Sequence, residues 1–289
     1  MIIWLASYPK SGNTWVRIFL NSLFYTDDNE TNINNLSIGQ FPNRKHFEGI
    51  TENIDDINEF SKNCINAQLR LNLLNETKFF KTHHAYWQNG KYRFTDIQNS
   101  LGVIYIVRDP RNVITSLKNH FNFDSYNDAL KFLLDDRKVI GIKSSNKEKI
   151  TEIKNQKNEA DIPHIISSWK NHFNSWKKIK KNYLLIKYED LIDNPKLQIE
   201  VIVKYLQKFT NFEINDKKIQ NIVKTTTFDN FKNLEKKGLF KESNLNQSGE
   251  RKTFFNQGPY SNWKKFLNEG IIRKIEEKFL DEMKELNYL

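Results

Sequence analysis

Two rhythms of hydrophobic and polar positions alternate along the chain. Residues 2–6 form an unbroken apolar run closed by Ser7-Tyr8-Pro9, which predicts a short buried strand. From Asn13 onward Trp15, Ile18, Phe19, Ser22 and Leu23 recur at helical spacing, so a helix follows a tight turn, with Asn13 or Ser11 as its N-cap. Further short apolar runs at 79–82, 103–107 and 183–186 predict strands, and the periodicity of 113–120, 126–139, 165–179 and 197–206 predicts helices. Ile271, Ile272, Ile275, Phe279, Met283 and Leu286 form a last helical stripe that docks on the core. Strands alternating with helices predict an α/β fold, a central parallel sheet flanked by helices on both faces. The Asn-, Asp- and Gly-rich stretches 26–62 and 141–161 read as loops or short helices over that sheet, and residues 1–289 as a single domain without repeats.

Composition narrows the picture only in part. The 289 residues suit one large α/β unit, and 38% hydrophobic with 13% aromatic residues can fill its core. Lys and Arg exceed Asp and Glu by 45 − 35 = +10. Such charge favours anionic partners: nucleic acid, anionic lipid or a phosphorylated small molecule. The excess is mostly Lys scattered over predicted solvated faces, such as Lys177, Lys178, Lys180 and Lys181, so charge alone chooses no function. Cys64 is the only cysteine, which rules out an intrachain disulfide and a multi-cysteine zinc site and fits a reducing compartment. The apolar start is too short for a signal-peptide core and lacks its basic flank, and no uncharged apolar run approaches the ~18 residues of a membrane span. A cytoplasmic protein with no membrane insertion is the expectation.

Three segments carry candidate chemistry, each at the end of a predicted strand. Where a strand turns through Tyr8-Pro9-Lys10-Ser11-Gly12-Asn13-Thr14-Trp15 into a helix, backbone N–H groups and the helix dipole converge on an anion site. Lys10 adds a charge there, and Ser11 and Thr14 add hydroxyls; an ordinary capped turn is the alternative. The spacing is not that of a Walker A loop, because Lys10 precedes the only Gly. Arg108-Asp109-Pro110-Arg111 through Ser116 follows the strand at 103–107, where open α/β sheets bind ligands, and Arg108 offers a planar fork for a phosphate. Alternatively Asp109 caps the next helix and Arg111 lies on its exposed face. In Lys81-Thr82-His83-His84, His83 can act as a base near neutral pH, with Lys81 on the same side of the strand. The His–His pair has no further ligand cluster around it to suggest a metal.

These residues resemble those of sulfotransferases that use 3′-phosphoadenosine 5′-phosphosulfate (PAPS). Tyr8–Trp15 resembles the family's 5′-phosphosulfate loop, Arg108 to Ser116 its 3′-phosphate segment, and Phe80-Lys81-Thr82-His83 the segment ending in its catalytic histidine. Ser168-Trp169 with His172 and Trp176 is similar to a Ser-Trp helix of the family, Tyr188-Glu189-Asp190 to its adenine-contacting segment, and Thr226-Thr227-Phe228 to another cofactor-side segment. The resemblance runs from residue 2 to about 285. It departs from the family at 256–257, where Asn256 and Gln257 replace an Arg-Lys pair while Gly258, Trp263 and Lys264 keep the spacing. Arg251 and Lys252, five residues upstream, are the candidate substitutes for that charge.

The resemblance implies a P-loop-kinase-like strand–loop–helix start and transfer of a sulfuryl group from PAPS to a hydroxyl, less readily an amine, with adenosine 3′,5′-bisphosphate (PAP) as product and no metal. It implies that His83 is the base, that Lys10 stabilises the leaving group and that Lys81 assists. Cofactor binding would fall to Lys10, Ser11, Gly12, Asn13, Thr14, Trp15, Arg108, Ser116, Tyr188, Thr226, Phe228, Arg251, Lys252 and Gly258. The acceptor would be a small molecule or a glycan, walled by loops within 34–44, 86–93, 121–161 and 231–247. Phe, Tyr, Asn and Lys there suit a phenol, a lipid alcohol or a sugar, with Asn and Lys inclining toward a sugar. Against this stand a P-loop-type nucleotide kinase or NTPase, which lacks its Walker spacing here, and a basic nucleic-acid-binding protein, which lacks a binding motif; a sulfotransferase-like fold without activity is a third alternative. No dimerisation signature is legible after Trp263, and oligomeric state stays open.

Overall fold

A computed structural model of the chain describes residues 1–26, 36–141, 162–214, 216–240, 253–255 and 262–289. In chain order its elements are β1 (Ile2–Ser7), α1 (Asn13–Phe24), β2 (Gly39–Gln40), α2 (Ile57–Asn72), β3 (Lys78–Thr82), β4 (Gln88–Asn89), β5 (Tyr92–Arg93), β6 (Ser100–Val107), α3 (Pro110–His120) and α4 (Tyr126–Leu134). There follow β7 (Val139–Ile140), β8 (His164–Ile165), α5 (Trp169–Trp176), β9 (Tyr183–Lys187), α6 (Tyr188–Asp193), α7 (Pro195–Leu206), α8 (Asp216–Thr225), α9 (Phe228–Lys236), α10 (Glu269–Lys278) and α11 (Leu280–Glu285).

Five strands make a parallel sheet in the order β2-β3-β1-β6-β9. All six residues of β1 are buried, as a central strand covered on both faces requires. Its alternate residues serve two cores. Ile2, Trp4 and Ala6 pack with Phe80, Tyr105 and the α3, α5 and α10 side, whereas Ile3 and Leu5 pack with Phe79, Ile104, Ile186 and the α1, α7 and α8 side. The register sets Gln40 beside Lys81, Ala6 beside Thr82, Ser7 beside Ile106 and Val107 beside Lys187, so the carboxyl ends of all five strands share one rim.

Several predicted boundaries move. The N-cap of α1 is Gly12 in the left-handed conformation (φ 97°), not Asn13 or Ser11; Asn13 is instead the first helical residue, and its amide reaches back to the Leu5 carbonyl and Ser7 Oγ. Within the stretch read as loops or short helices, the 16-residue α2 begins at Ile57 behind an Asp56 cap. Its buried stripe is thin, Phe60, Cys64 and Ala67, and includes Gln68, which bonds Phe94 O and Thr95 Oγ1 across the core. The predicted helix 126–139 ends at Leu134, because Asp135 turns extended and Val139–Ile140 pair antiparallel with His164–Ile165. The predicted helix 165–179 shortens to Trp169–Trp176: Ile165 belongs to β8, and Ser168 caps the helix while donating to Asp136 Oδ1. The two-residue edge strand β2 escaped the apolar-run criterion, since Gly39 and Gln40 are not apolar.

Candidate active site

The rim assembles from the loop after β1. Lys10 adopts φ 68°, a left-handed backbone uncommon outside glycine, and Gly12 follows at φ 97°. Side-chain bulk at Gly12 has no room: an added Cβ would lie 2.3 Å from Tyr188 Cδ2. No side chain caps α1, so its first N–H groups are left to whatever binds at the turn. Ser11 is fully buried, and its Oγ has no hydrogen-bond partner among the described residues. A buried donor so placed, at a helix start with a glycine cradle, fits a bound anion.

Arg108, at the end of β6, joins the neighbouring segments. Its guanidinium stacks 4.2 Å from the Tyr188 ring centroid, and its Nη1 donates to Lys10 O and Ser116 Oγ, each at 3.4 Å. Trp15 packs edge-on against Tyr188 at 6.0 Å and against Phe231 at 6.4 Å. Phe228, Phe231 and Phe255 extend this aromatic wall, while Phe254 lies over Lys10 with 4.0 Å between Nζ and its ring centroid. Thus Lys10, Gly12, Trp15, Arg108, Ser116, Tyr188 and Phe228 gather on one rim, with Ser11 and Thr14 on the same turn. Asn13 does not face outward: its amide braces β1. Thr226 is buried with its hydroxyl donating to Ile222 O. Arg251, Lys252 and Gly258, with Asn256 and Gln257, lie outside the described residues.

On the β3 side, His83 Nδ1 lies 2.8 Å from the Ser7 carbonyl. A carbonyl accepts only, so Nδ1 carries the proton and Nε2 keeps its lone pair. Removal from water, then the Lys81 ammonium, push its pKa well below the usual imidazole value, partly offset by the Ser7 bond; the ring is neutral at pH 7. His84 turns the other way, into a stack with Phe94 at 4.8 Å, His164 at 5.0 Å and Phe60 at 5.3 Å. The two histidines therefore do not form a ligand pair, and no cluster suited to a metal occurs among the described residues.

Other residues of the site had no clear sequence signal. Asp109 does cap α3, but Arg111 is buried rather than exposed. Its guanidinium bonds Asp109 and Glu276, each at 2.7 Å, donates to Tyr288 O at 2.7 Å and stacks on Trp263 at 4.2 Å. Glu189 accepts from Asp109 N at 3.1 Å and from Tyr288 Oη at 2.8 Å. This knot fixes the turn that carries Arg108. The Asp-Pro-Arg spacing was its one local hint, since the side chain two residues after a cap can return to it.

Comparison with known proteins places this geometry. The family described as "Sulfotransferase domain" matches residues 2–287. Sulfotransferase 1 family member D1 of Mus musculus is 22% identical over 98% of this chain and 83% of its own length. Luciferin sulfotransferase of Photinus pyralis is 22% identical over 94% and 69%. A mouse sulfotransferase crystallised with PAP has the same fold, with TM-score 0.58 and 19% identity over 97% of this chain and 84% of its own. No described helix is long and apolar enough to cross a membrane. With the family matched along nearly its whole length, the chain belongs to the sulfotransferase domain family.

Proposed function

We propose that the protein transfers the sulfuryl group of PAPS to the hydroxyl of an acceptor. The observation that carries this reading is the shared rim, where a histidine with its Nε2 lone pair fixed stands across Ser7 from a buried-serine, glycine-cradled loop carrying Lys10. PAPS would supply the sulfuryl group and leave as PAP, as the PAP complex of a structural relative suggests. Ser11, the loop N–H groups and Lys10 would hold the 5′ end, Arg108 and Ser116 the 3′-phosphate, and Trp15, Tyr188 and Phe228 the adenine side.

His83 Nε2 accepts the hydroxyl proton as the acceptor oxygen attacks, and the Ser7 carbonyl stabilises the imidazolium that results. Lys10 faces the oxygen on which charge develops, leaving the Phe254 ring to do so. Lys81, beside His83, assists at the sulfuryl oxygens. A small-molecule hydroxyl is the favoured acceptor, as the name of the luciferin relative suggests, with a glycan as the other class; a cytoplasmic setting fits a relative named as a cytosolic sulfotransferase.

Incubation with sulfur-labelled PAPS and panels of phenols, alicyclic alcohols and oligosaccharides, followed by mass spectrometry of labelled products, tests the reading. Label transfer to a hydroxyl that needs His83 supports it. Tight PAP binding with no transfer to any panel or cell extract would leave a nucleotide-binding protein without the enzyme.

A further inference from the structure

The candidate base is also held from behind. His83 lies just past the end of β3, so no sheet ladder fixes its carbonyl. That oxygen instead accepts from His172 Nε2 of α5 at 3.2 Å. The other ring nitrogen, His172 Nδ1, is 2.8 Å from Tyr105 Oη of β6. A carbonyl needs a donor, so Nε2 bears the proton and Nδ1 accepts from the Tyr105 hydroxyl. Tyr8, which opens the loop carrying Lys10, packs its ring edge-on against His172 with the centroids 5.6 Å apart.

His172 is fully buried and Tyr105 nearly so, so neither is placed to meet an acceptor. The segment beyond His83 is moored to the same helix: Trp176 Nε1 donates to His84 O at 2.8 Å, and Tyr86 N donates to Ser175 Oγ at 2.9 Å. A histidine present only to fill the core would not need directional bonds at both nitrogens, one of them to the backbone of the candidate base.

We infer that His172 is a positioning residue for His83, and that its contact with Tyr8 couples the setting of the Lys10 loop to that of the base. The inference rests on His83 being the base of the proposed reaction. Loss of the His172 donor leaves the peptide between His83 and His84 held only through its N–H on Thr82 Oγ1 at 3.2 Å, so the ring shifts and loosens the Ser7 bond that sets its tautomer. A displacement approaching 1 Å costs up to about 100-fold in rate, so a loss of about 10- to 100-fold is expected.

His172→Gln retains an N–H near the position of Nε2, His172→Leu retains none, and Tyr105→Phe removes only the hydroxyl. Turnover with PAPS, PAP affinity by calorimetry and the His83 tautomer by side-chain ¹H–¹⁵N NMR are measured for each. The Leu variant should lose about 10- to 100-fold in kcat, keep PAP affinity within about twofold and show a mixed His83 tautomer, with Gln restoring turnover to within about threefold of wild type. Tyr105→Phe should fall between, and it carries the test if the Leu variant does not fold. Turnover of the Leu or Phe variant within about twofold of wild type, or equal losses in Leu and Gln with the His83 spectrum unchanged, overturns the inference. If wild type itself transfers no sulfuryl group, the functional reading fails separately, and the tautomer spectra alone decide whether His172 sets His83.

Discussion

The two sides of the rim are built differently. On the side proposed for the nucleotide, Lys10, Ser11, Gly12 and Trp15 occupy one turn and the next helix, and Arg108, Tyr188 and Phe254 join them from distant parts of the chain. On the base side, His83 is set by Ser7, 76 residues before it, and by His172, 89 residues after it. The proposed nucleotide side is thus a local loop completed by distant side chains, whereas on the proposed base side the orientation of the histidine itself depends on distant partners. A substitution in the first should therefore register as altered affinity for PAP or altered leaving-group stabilisation, and one in the second as altered turnover with PAP affinity kept.

The sharpest way to break that division is His83→Ala. A general base is worth about 100- to 10,000-fold, so turnover should fall into that range while calorimetric PAP affinity stays within about twofold. Residual turnover near wild type would remove His83 from the role. Lys10→Ala should reduce kcat by about 100- to 1,000-fold, the cost of one donor aimed at developing charge, with a much smaller change in PAP binding. If the two effects proved equal, Lys10 would be a ground-state anchor only. Arg108→Ala loses charged hydrogen bonds worth roughly 1.5–3 kcal/mol, so PAP affinity should weaken by about 10- to 100-fold. Unchanged affinity would mean that the 3′-phosphate is held elsewhere.

An effect on stability, separate from these losses of function, belongs to the proposed base side. Burial holds the pKa of His164 at about 4 and of His172 at about 3, and drives that of His84 well below its ordinary value. In the unfolded chain each takes up a proton near pH 6.5, while the folded protein does not, so stability is fully present above about pH 6.5 and is lost as pH falls toward 4. Each such histidine contributes a slope of about 1.4 kcal/mol per pH unit in that window. Urea midpoints measured from pH 7.5 to 5 should fall, and a flat profile would show that these imidazoles are protonated in the native state.

How much of this was legible in the sequence follows the same division. The strands at 2–6 and 103–107 are continuous apolar runs because both faces of the sheet are covered there, and these two with those at 79–82 and 183–186 appear close to their predicted bounds. The placement of Lys10 in a tight turn and of Arg108 just past a strand end was legible because it depends on backbone geometry within a few residues. By contrast α2 was obscured by its own packing: Gln68 fills a core position, satisfied by Phe94 and Thr95, and a polar letter at a buried position hides the stripe. The burial of Arg111 was illegible because three of its partners, Trp263, Glu276 and Tyr288, come from the far end of the chain. Only the family resemblance singled out His83 over His84 in the sequence; in the structure the strand's exit sends His83 to the rim and His84 into the aromatic stack.

The position of β1 at the middle of the sheet has a consequence for biosynthesis. Its neighbours are β3 and β6, which pair with it through Lys78–Thr82 and Ser100–Ile106. The central strand thus leaves the ribosome well before either partner exists, at some 5–20 residues per second a delay of several seconds or more. During that interval Ile-Ile-Trp-Leu-Ala, with both faces apolar and both edges unpaired, is a segment prone to wrong pairing with other nascent chains. Early occupancy by a chaperone, or slow recovery of native protein after dilution from denaturant, would be the cellular and test-tube signs of a fold whose first strand must wait for its neighbours.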